Sequence, residues 1–151
     1  LRINLILAGK EDYFYKRLEK EKNKNIIFLH NILDSDLYHL YSHSIAAVSA
    51  SLMEGFGLVP LEALAAGSIP VVSDIPAFRE VCGDLAIYSN PKDPKDIAEK
   101  LKKALSLKLA EKEEIKKKAE VWLKNFSWRK MAEETLAVYK KVGYSKVDAV
   151  I

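Results

Sequence analysis

The chain has 151 residues, 49% of them hydrophobic and 30% charged, with one cysteine and a formal net charge of +3. That length suits a single domain able to bury its own core, no apolar run nears the roughly 20 residues that span a bilayer, and Cys82 alone permits no internal disulfide and fits a reducing, cytoplasmic compartment. Charge is unevenly spread: residues 1–90 carry 8 Lys/Arg and 11 Asp/Glu, a net −3, whereas residues 91–151 carry 16 and 10, a net +6.

Short apolar runs alternate with helical patterns through the first ninety residues. Ile3 to Ala8 reads as a strand closed by Gly9, Tyr13 to Lys22 as a charged amphipathic helix, and Ile26 to Leu29 as a second strand. Asp34 is expected to N-cap a helix through Tyr41, because a short acidic side chain supplies the orphan N–H groups with an acceptor. Ile45 to Ala50 follows as a third strand and Pro60 to Ala66 as a helix closed by Gly67. Ile69 to Ser73, Ala77 to Val81 and Leu85 to Tyr88 then read as strand, short helix and strand. Strands alternating with helices imply right-handed βαβ units and a parallel sheet. Runs apolar on both faces, such as Ile69-Pro70-Val71-Val72, fit a sheet covered on each side. The expected class is therefore α/β, a Rossmann-like three-layer domain with a parallel sheet.

After Asn90-Pro91-Lys92-Asp93-Pro94 the texture changes to helices only. Asp93 and Pro94 open one helix to about Leu105, a lysine-rich helix runs to about Asn125, and Ser127 caps a last helix whose apolar positions are Trp128, Met131, Leu136 and Tyr139. Residues 1–90 are thus the α/β core and residues 91–151 a helical C-terminal extension of the same domain, with a frayed tail from Gly143. The basic lysines read first as solvated helix faces and second as a weak contact for an anionic membrane surface. They are not interleaved with aromatics as a nucleic-acid stacking surface requires.

Chemistry concentrates in Glu54-Gly55-Phe56-Gly57-Leu58-Val59-Pro60-Leu61-Glu62. This segment leaves a strand and enters a helix, which is where open α/β sheets bind ligands. Glycines allow close backbone approach, and a helix start offers unpaired N–H groups to phosphate or hydroxyl oxygens. Glu54 would stay in the loop and Glu62 would fall one turn into the helix. A carboxylate at each edge with amides between suits a diol, a phosphate and another polyol, the layout of a nucleotide sugar. Two surface glutamates beside an ordinary turn would have the same spacing.

The segment, followed by Ala63, Ala66-Gly67, Pro70-Val71-Val72 and Ser73-Asp74, resembles the retaining glycosyltransferases of GT-B fold in the "glycosyl transferases group 1" family. Leu7-Ala8-Gly9-Lys10, Ile26 to Leu29, Ser35-Asp36-Leu37-Tyr38, Tyr41, Pro76, Glu80-Val81, Gly83-Asp84 and Phe126-Ser127-Trp128 fall in family order. The resemblance implies a donor-binding domain that holds a nucleoside-diphosphate sugar, with transfer to a hydroxyl acceptor and retention of configuration. It assigns Glu54 to the donor sugar near the reacting carbon, as an orienter and charge stabiliser. It assigns Gly55, Phe56, Gly57 and Leu58 to sugar and phosphate through their backbone, Glu62 to the ribose, and His30, Asn31 and Ile32 to the base pocket. No divalent metal and no other cofactor is implied.

Departures from the family pattern are equally informative. The family's first βα unit, with its two basic phosphate-binding residues, and its amino-terminal acceptor domain have no counterpart here, so a fragment of a longer enzyme, inactive in isolation, is expected. Lys10 is a candidate phosphate contact on position alone. His30 stands where the family commonly has glycine. A binding-only regulatory subunit and a nucleotide-sugar 2-epimerase of the same fold are the alternatives. His39 and His43 share a helix face but lack the accompanying ligands of a metal site. Cys82 reads as a small buried hydrophobe.

Overall fold

A computed structural model describes residues 3–20 and 24–143. Among these residues five strands and seven helices follow in the order β1 (Leu5–Gly9), α1 (Tyr13–Glu19), β2 (Ile26–His30), α2 (Asp34–His43), β3 (Ala46–Ser49), α3 (Leu58–Ala65), β4 (Ile69–Ser73), α4 (Pro76–Cys82), β5 (Ile87–Ser89), α5 (Pro94–Ser106), α6 (Leu109–Trp122) and α7 (Trp128–Lys141). Short 3-10 turns at Gly83–Leu85 and Leu123–Asn125 precede β5 and follow α6. All strand pairs are parallel, and helices flank them, as the α/β pattern requires. The hydrogen-bonded ladders form two groups, β1-β2 and β3-β4-β5, and no ladder joins β1 or β2 to β3 among the described residues.

The centre of the core is β4. Its five residues are all buried because both faces are covered. Val72 packs with Leu61 of α3 and with Phe78 and Val81 of α4 on one side. Ile69 and Val71 pack with Ala104 of α5 on the other. α6 closes the end of this sandwich: Ala119 joins Leu64 and Leu85, and Trp122 Nε1 donates to the Val81 carbonyl at 2.7 Å. The helical extension is therefore bolted to the α/β core through α5 and α6. α7 has no buried residue; its apolar positions Trp128, Met131 and Tyr139 are exposed.

Boundaries differ from expectation where local hydrogen bonding outweighs residue type. Leu33, not Asp34, is the N-cap of α2, with no side-chain cap bond, and Asp34 sits in the first turn where its charge complements the helix dipole. At the end of α3, Ala66 is the C-cap and Gly67 lies one position beyond it at φ 81°. Gly67 N–H bonds to the Leu64 carbonyl and Ser68 N–H to that of Ala63, the paired closure that a left-handed residue permits. Asp93 and Ser127 cap α5 and α7 as expected, accepting from Lys95 and Asp96 N–H and from Lys130 N–H. The tail beyond Gly143 lies outside the described residues.

Serine hydroxyls tie the carboxyl ends of three strands together. Ser73 Oγ donates to the Ser49 carbonyl at 3.4 Å, and Ser89 Oγ to that of Val72 at 3.3 Å. The loop after β3 consequently starts from a fixed point. Its far end is fixed by Gly57, the N-cap of α3, held at φ 114°. A Cβ there would lie 2.9 Å from Phe78 Cδ1 and 3.1 Å from Val81 Cγ2. Gly57→Ala should therefore lower unfolding free energy by about 2–4 kcal/mol, combining backbone strain with overpacking; urea denaturation of the two proteins measures it.

Candidate functional site

The residues singled out from the sequence leave their strands at the carboxyl ends. Lys10 follows β1, His30-Asn31-Ile32 end β2 and lead to α2, and residues 50–57 connect β3 to α3. Glu54 is exposed in that last loop, and Glu62 is exposed one turn into α3. Neither forms an ion pair among the described residues. Both carboxylates are thus free of internal cations.

Between them the backbone is unusually open. A Cβ on Gly55 would meet nothing within 4 Å, so its lack of a side chain answers to no packing demand and leaves a clear approach to the main chain. α3 has no side-chain cap, since its N-cap is glycine. The N–H groups of Gly57, Leu58 and Val59 have no partner one turn back, and Pro60 has no N–H to satisfy. Three donors at the positive end of a helix therefore face the loop, a ready site for anionic or hydroxyl oxygens. The Phe56 ring turns away from this backbone to meet Phe126 edge-on, centroids 6.0 Å apart, and Phe126 in turn contacts Trp122. Phe56 thus ties the loop to Phe126 through its side chain.

On the β2 side, His30 is exposed and its Nδ1 lies 3.4 Å from the Tyr15 hydroxyl. Asn31 adopts the left-handed conformation at φ 52°, one residue after the place where the family commonly has glycine. Asparagine tolerates that conformation better than most residues, so the chain turns without glycine. Ile32 is half-buried. The two sides are linked by helices: α2, which begins after this turn, packs on α3. Burial, then the negative charge of Glu62, holds the Tyr41 phenol of α2 above its usual range. The sequence marks Tyr41 as the end of a helix and as a residue in family order, but nothing local marks its contact with Glu62, 21 residues away. Lys10 is exposed directly after β1, and nothing among the described contacts brings it to Glu54 or Glu62.

A second polar feature was not anticipated. At the carboxyl ends of β4 and β5 lies an open crevice of about 480 Å³ lined by Asp74, Arg79, Tyr88, Asn90, Asp96 and Lys100 among others. Arg79 donates twice to Asp74, both bonds 2.7 Å, and lies 3.7 Å over the Tyr88 ring. Those bonds hold the Asp74 carboxyl below its usual range. Burial pushes the Tyr88 phenol up to about 12, and its hydroxyl donates to the Gly83 carbonyl at 2.5 Å. Each of these charges is already paired, so the crevice is a braced rim of the sheet.

The remaining candidates are structural. Cys82 is fully buried and burial pushes its thiol up to about 11, which disfavours the thiolate. His43 Nδ1 lies 2.9 Å from the His39 carbonyl and 3.0 Å from Ser42 Oγ, partners within its own helix. Among the described residues no three His, Cys, Asp or Glu side chains cluster as metal ligands would. No helix of the described residues is long and apolar enough to cross a membrane.

Comparison with known proteins agrees with this architecture. The chain is 39% identical over 95 residues to the O-antigen chain mannosyltransferase RfbU of Salmonella typhimurium, covering 60% of this chain and 27% of that protein. It is 30% identical over 145 residues to the O-antigen chain mannosyltransferase B of Escherichia coli, covering 93% and 38%. Its fold matches that of sucrose-phosphate synthase from Thermosynechococcus elongatus with a TM-score of 0.81 at 21% identity, over 95% of this chain and 39% of the other. The chain thus spans well under half the length of the relatives it matches. Residues 1–122 match the model of the family "Glycosyl transferases group 1". With that match over most of its length, and with parallel strands feeding the Glu54–Glu62 loop, the chain belongs to the glycosyl transferases group 1 family.

Proposed function

We propose that these residues form the donor-binding part of a retaining glycosyltransferase that moves a hexose from a nucleoside-diphosphate sugar to a hydroxyl acceptor. The observation that carries this reading is the loop itself. A carboxylate with no ion pair among the described residues stands in the loop, the uncapped N–H groups of Gly57, Leu58 and Val59 open α3, and a second carboxylate, hydrogen-bonded to Tyr41, stands one turn on. Glu54 would face the sugar, the amides of Gly55 to Leu58 the sugar hydroxyls and distal phosphate, and Glu62 the ribose diol. His30, Asn31 and Ile32 would line the base pocket from the neighbouring strand end. The printed names of the relatives make mannose the first sugar to test.

In this reading the bond between the anomeric carbon and the diphosphate oxygen breaks while the acceptor oxygen bonds to that carbon on the same face. The acceptor proton passes to the departing diphosphate. Glu54 is placed to orient the sugar and to stabilise positive charge developing at the ring, and the α3 amides to stabilise negative charge on the leaving group. No divalent metal is called on for these tasks. The enzyme would work in the cytoplasm, with the basic residues 91–151 in weak contact with an anionic membrane surface. The acceptor would be bound by polypeptide outside these residues.

In the full-length enzyme, Glu54→Gln should lower kcat by at least about tenfold, the loss expected when about 1.4 kcal/mol of transition-state stabilisation is removed; an unchanged kcat would sink the assignment. Glu62→Ala should instead weaken donor binding by about 1–3 kcal/mol, as for a charge-assisted hydrogen bond to a hydroxyl. Calorimetry with the nucleoside diphosphate that binds best checks this, and equal affinity would refute the ribose role. EDTA should leave turnover unchanged, and a rate restored only by added Mg²⁺ or Mn²⁺ would contradict the metal-free reading.

A further inference from the structure

α2 and α3 are fastened side by side at their carboxyl ends. Ser44, the C-cap of α2, places its Oγ 2.7 Å from the Oγ of Ser68, a buried residue two positions beyond the α3 C-cap Ala66. Ser44 is itself held, its N–H and its Oγ donating to the Tyr41 carbonyl at 3.1 and 2.9 Å. Tyr41 thus stands one turn before the bridge on α2. Glu62, whose carbonyl accepts from the Ala66 N–H at 3.0 Å, stands one turn before the cap on α3. Side chains on a helix lean toward its amino end. With both helices ending at the bridge, Tyr41 and Glu62 lean the same way, toward the start of α3 and its uncapped N–H groups.

Tyr41 belongs to the half-buried stripe of α2, with Leu37, Leu40 and Ser44, whereas Ser42 and His43 beside it are exposed. From that stripe its hydroxyl hydrogen-bonds the Glu62 carboxylate. Burial and the negative charge of Glu62 keep the phenol protonated at neutral pH, so the hydroxyl donates and the carboxylate accepts. Glu62 is exposed and makes no ion pair among the described residues. A long side chain in that position loses rotamer freedom whenever a ligand fixes it. A carboxylate offers about four lone-pair sites, so one bond from Tyr41 leaves the other oxygen available to a ligand.

We propose that Tyr41 is a positioning residue for the nucleotide: its hydroxyl holds the exposed Glu62 carboxylate in one orientation, so that the remaining oxygen meets the two hydroxyls of a ribose already ordered. The role rests on the assignment of Glu62 to the ribose. Tyr41 touches no ligand itself and acts only through Glu62. Its ring serves the α2–α3 packing, and its hydroxyl serves the carboxylate. Ordering one such side chain in advance is worth about three- to tenfold in affinity, because binding no longer bears that entropy loss.

Displacement calorimetry on the full-length gene product that contains this chain tests the role, with ADP, GDP, CDP and UDP and the 2′,3′-dideoxy counterpart of each. Tyr41→Phe keeps the ring. It should weaken the best-binding ribonucleotide by about three- to tenfold and leave its dideoxy counterpart unchanged, which a loss of packing alone would not do. In the Glu62→Ala background the same substitution should alter neither affinity. Equal weakening of both nucleotides by Tyr41→Phe would overturn the proposal, as would a further loss in the double variant. If Glu62→Ala weakens the ribonucleotide and Tyr41→Phe does not, the positioning role alone fails. If none of the nucleotides binds, or Glu62→Ala leaves the affinity unchanged, the ribose assignment fails and the positioning role with it.

Discussion

The contact between Gly57 and the Phe78 ring is the constraint on which the placement of the site depends. α3 must start where β3 hands over the chain, and α4 must lie close enough to cover β4 with Phe78 and Val81. Both conditions hold only if the first residue of the α3 cap has no side chain, because a Cβ would come within 2.9 Å of the ring. The same residue must take φ 114°, which only glycine adopts without strain. Its missing side chain also leaves the first turn of α3 without an internal cap. Packing and chemistry thus make the same demand of one position: the atom that would clash is also the atom that would begin a competing acceptor for the free N–H groups.

Around that point the structure separates rigid from available groups. The loop before α3 is pinned at Ser49 by a hydroxyl from β4 and at Phe56 by the aromatic row that runs to Phe126 and Trp122. Trp122 is itself bonded to the Val81 carbonyl, so the helical extension reaches back to brace the Glu54–Glu62 loop. Between these anchors Glu54 and Gly55 are exposed and uncommitted. Elsewhere along the carboxyl edge the charges neutralise one another, as Asp74 and Arg79 do over Tyr88. Carboxylates with no cationic partner among the described residues, beside the uncapped amides of α3, are therefore a local property of the Glu54–Glu62 segment, not of the whole rim.

The α/β class was legible because its signals are local. Buried parallel strands read as continuous apolar runs, and the caps at Asp93 and Ser127 need only the next few residues to be effective. The Glu54–Glu62 segment was legible for a similar reason, since spacing within one strand–loop–helix unit survives folding. Cap and boundary errors arose where backbone bonds decide alone: Leu33 caps α2 by its conformation and not by its side chain. The left-handed turn at Asn31 was hidden because asparagine serves many turn types equally well. The contact of Tyr41 with Glu62 was out of reach, as helix-to-helix packing carries no mark in either segment.

The sequence by itself determined the alternation of elements, the covered β4 strand and the chemical character of the Glu54–Glu62 loop, because each follows from neighbouring residues and their periodicity. Tertiary structure alone decided that no ladder joins β1 or β2 to β3 among the described residues, that α7 buries nothing, and that the Phe56 ring packs edge-on against Phe126. Those outcomes depend on which surfaces find partners at long range. An apolar strand such as β1 reads the same whether both its edges are paired or only one.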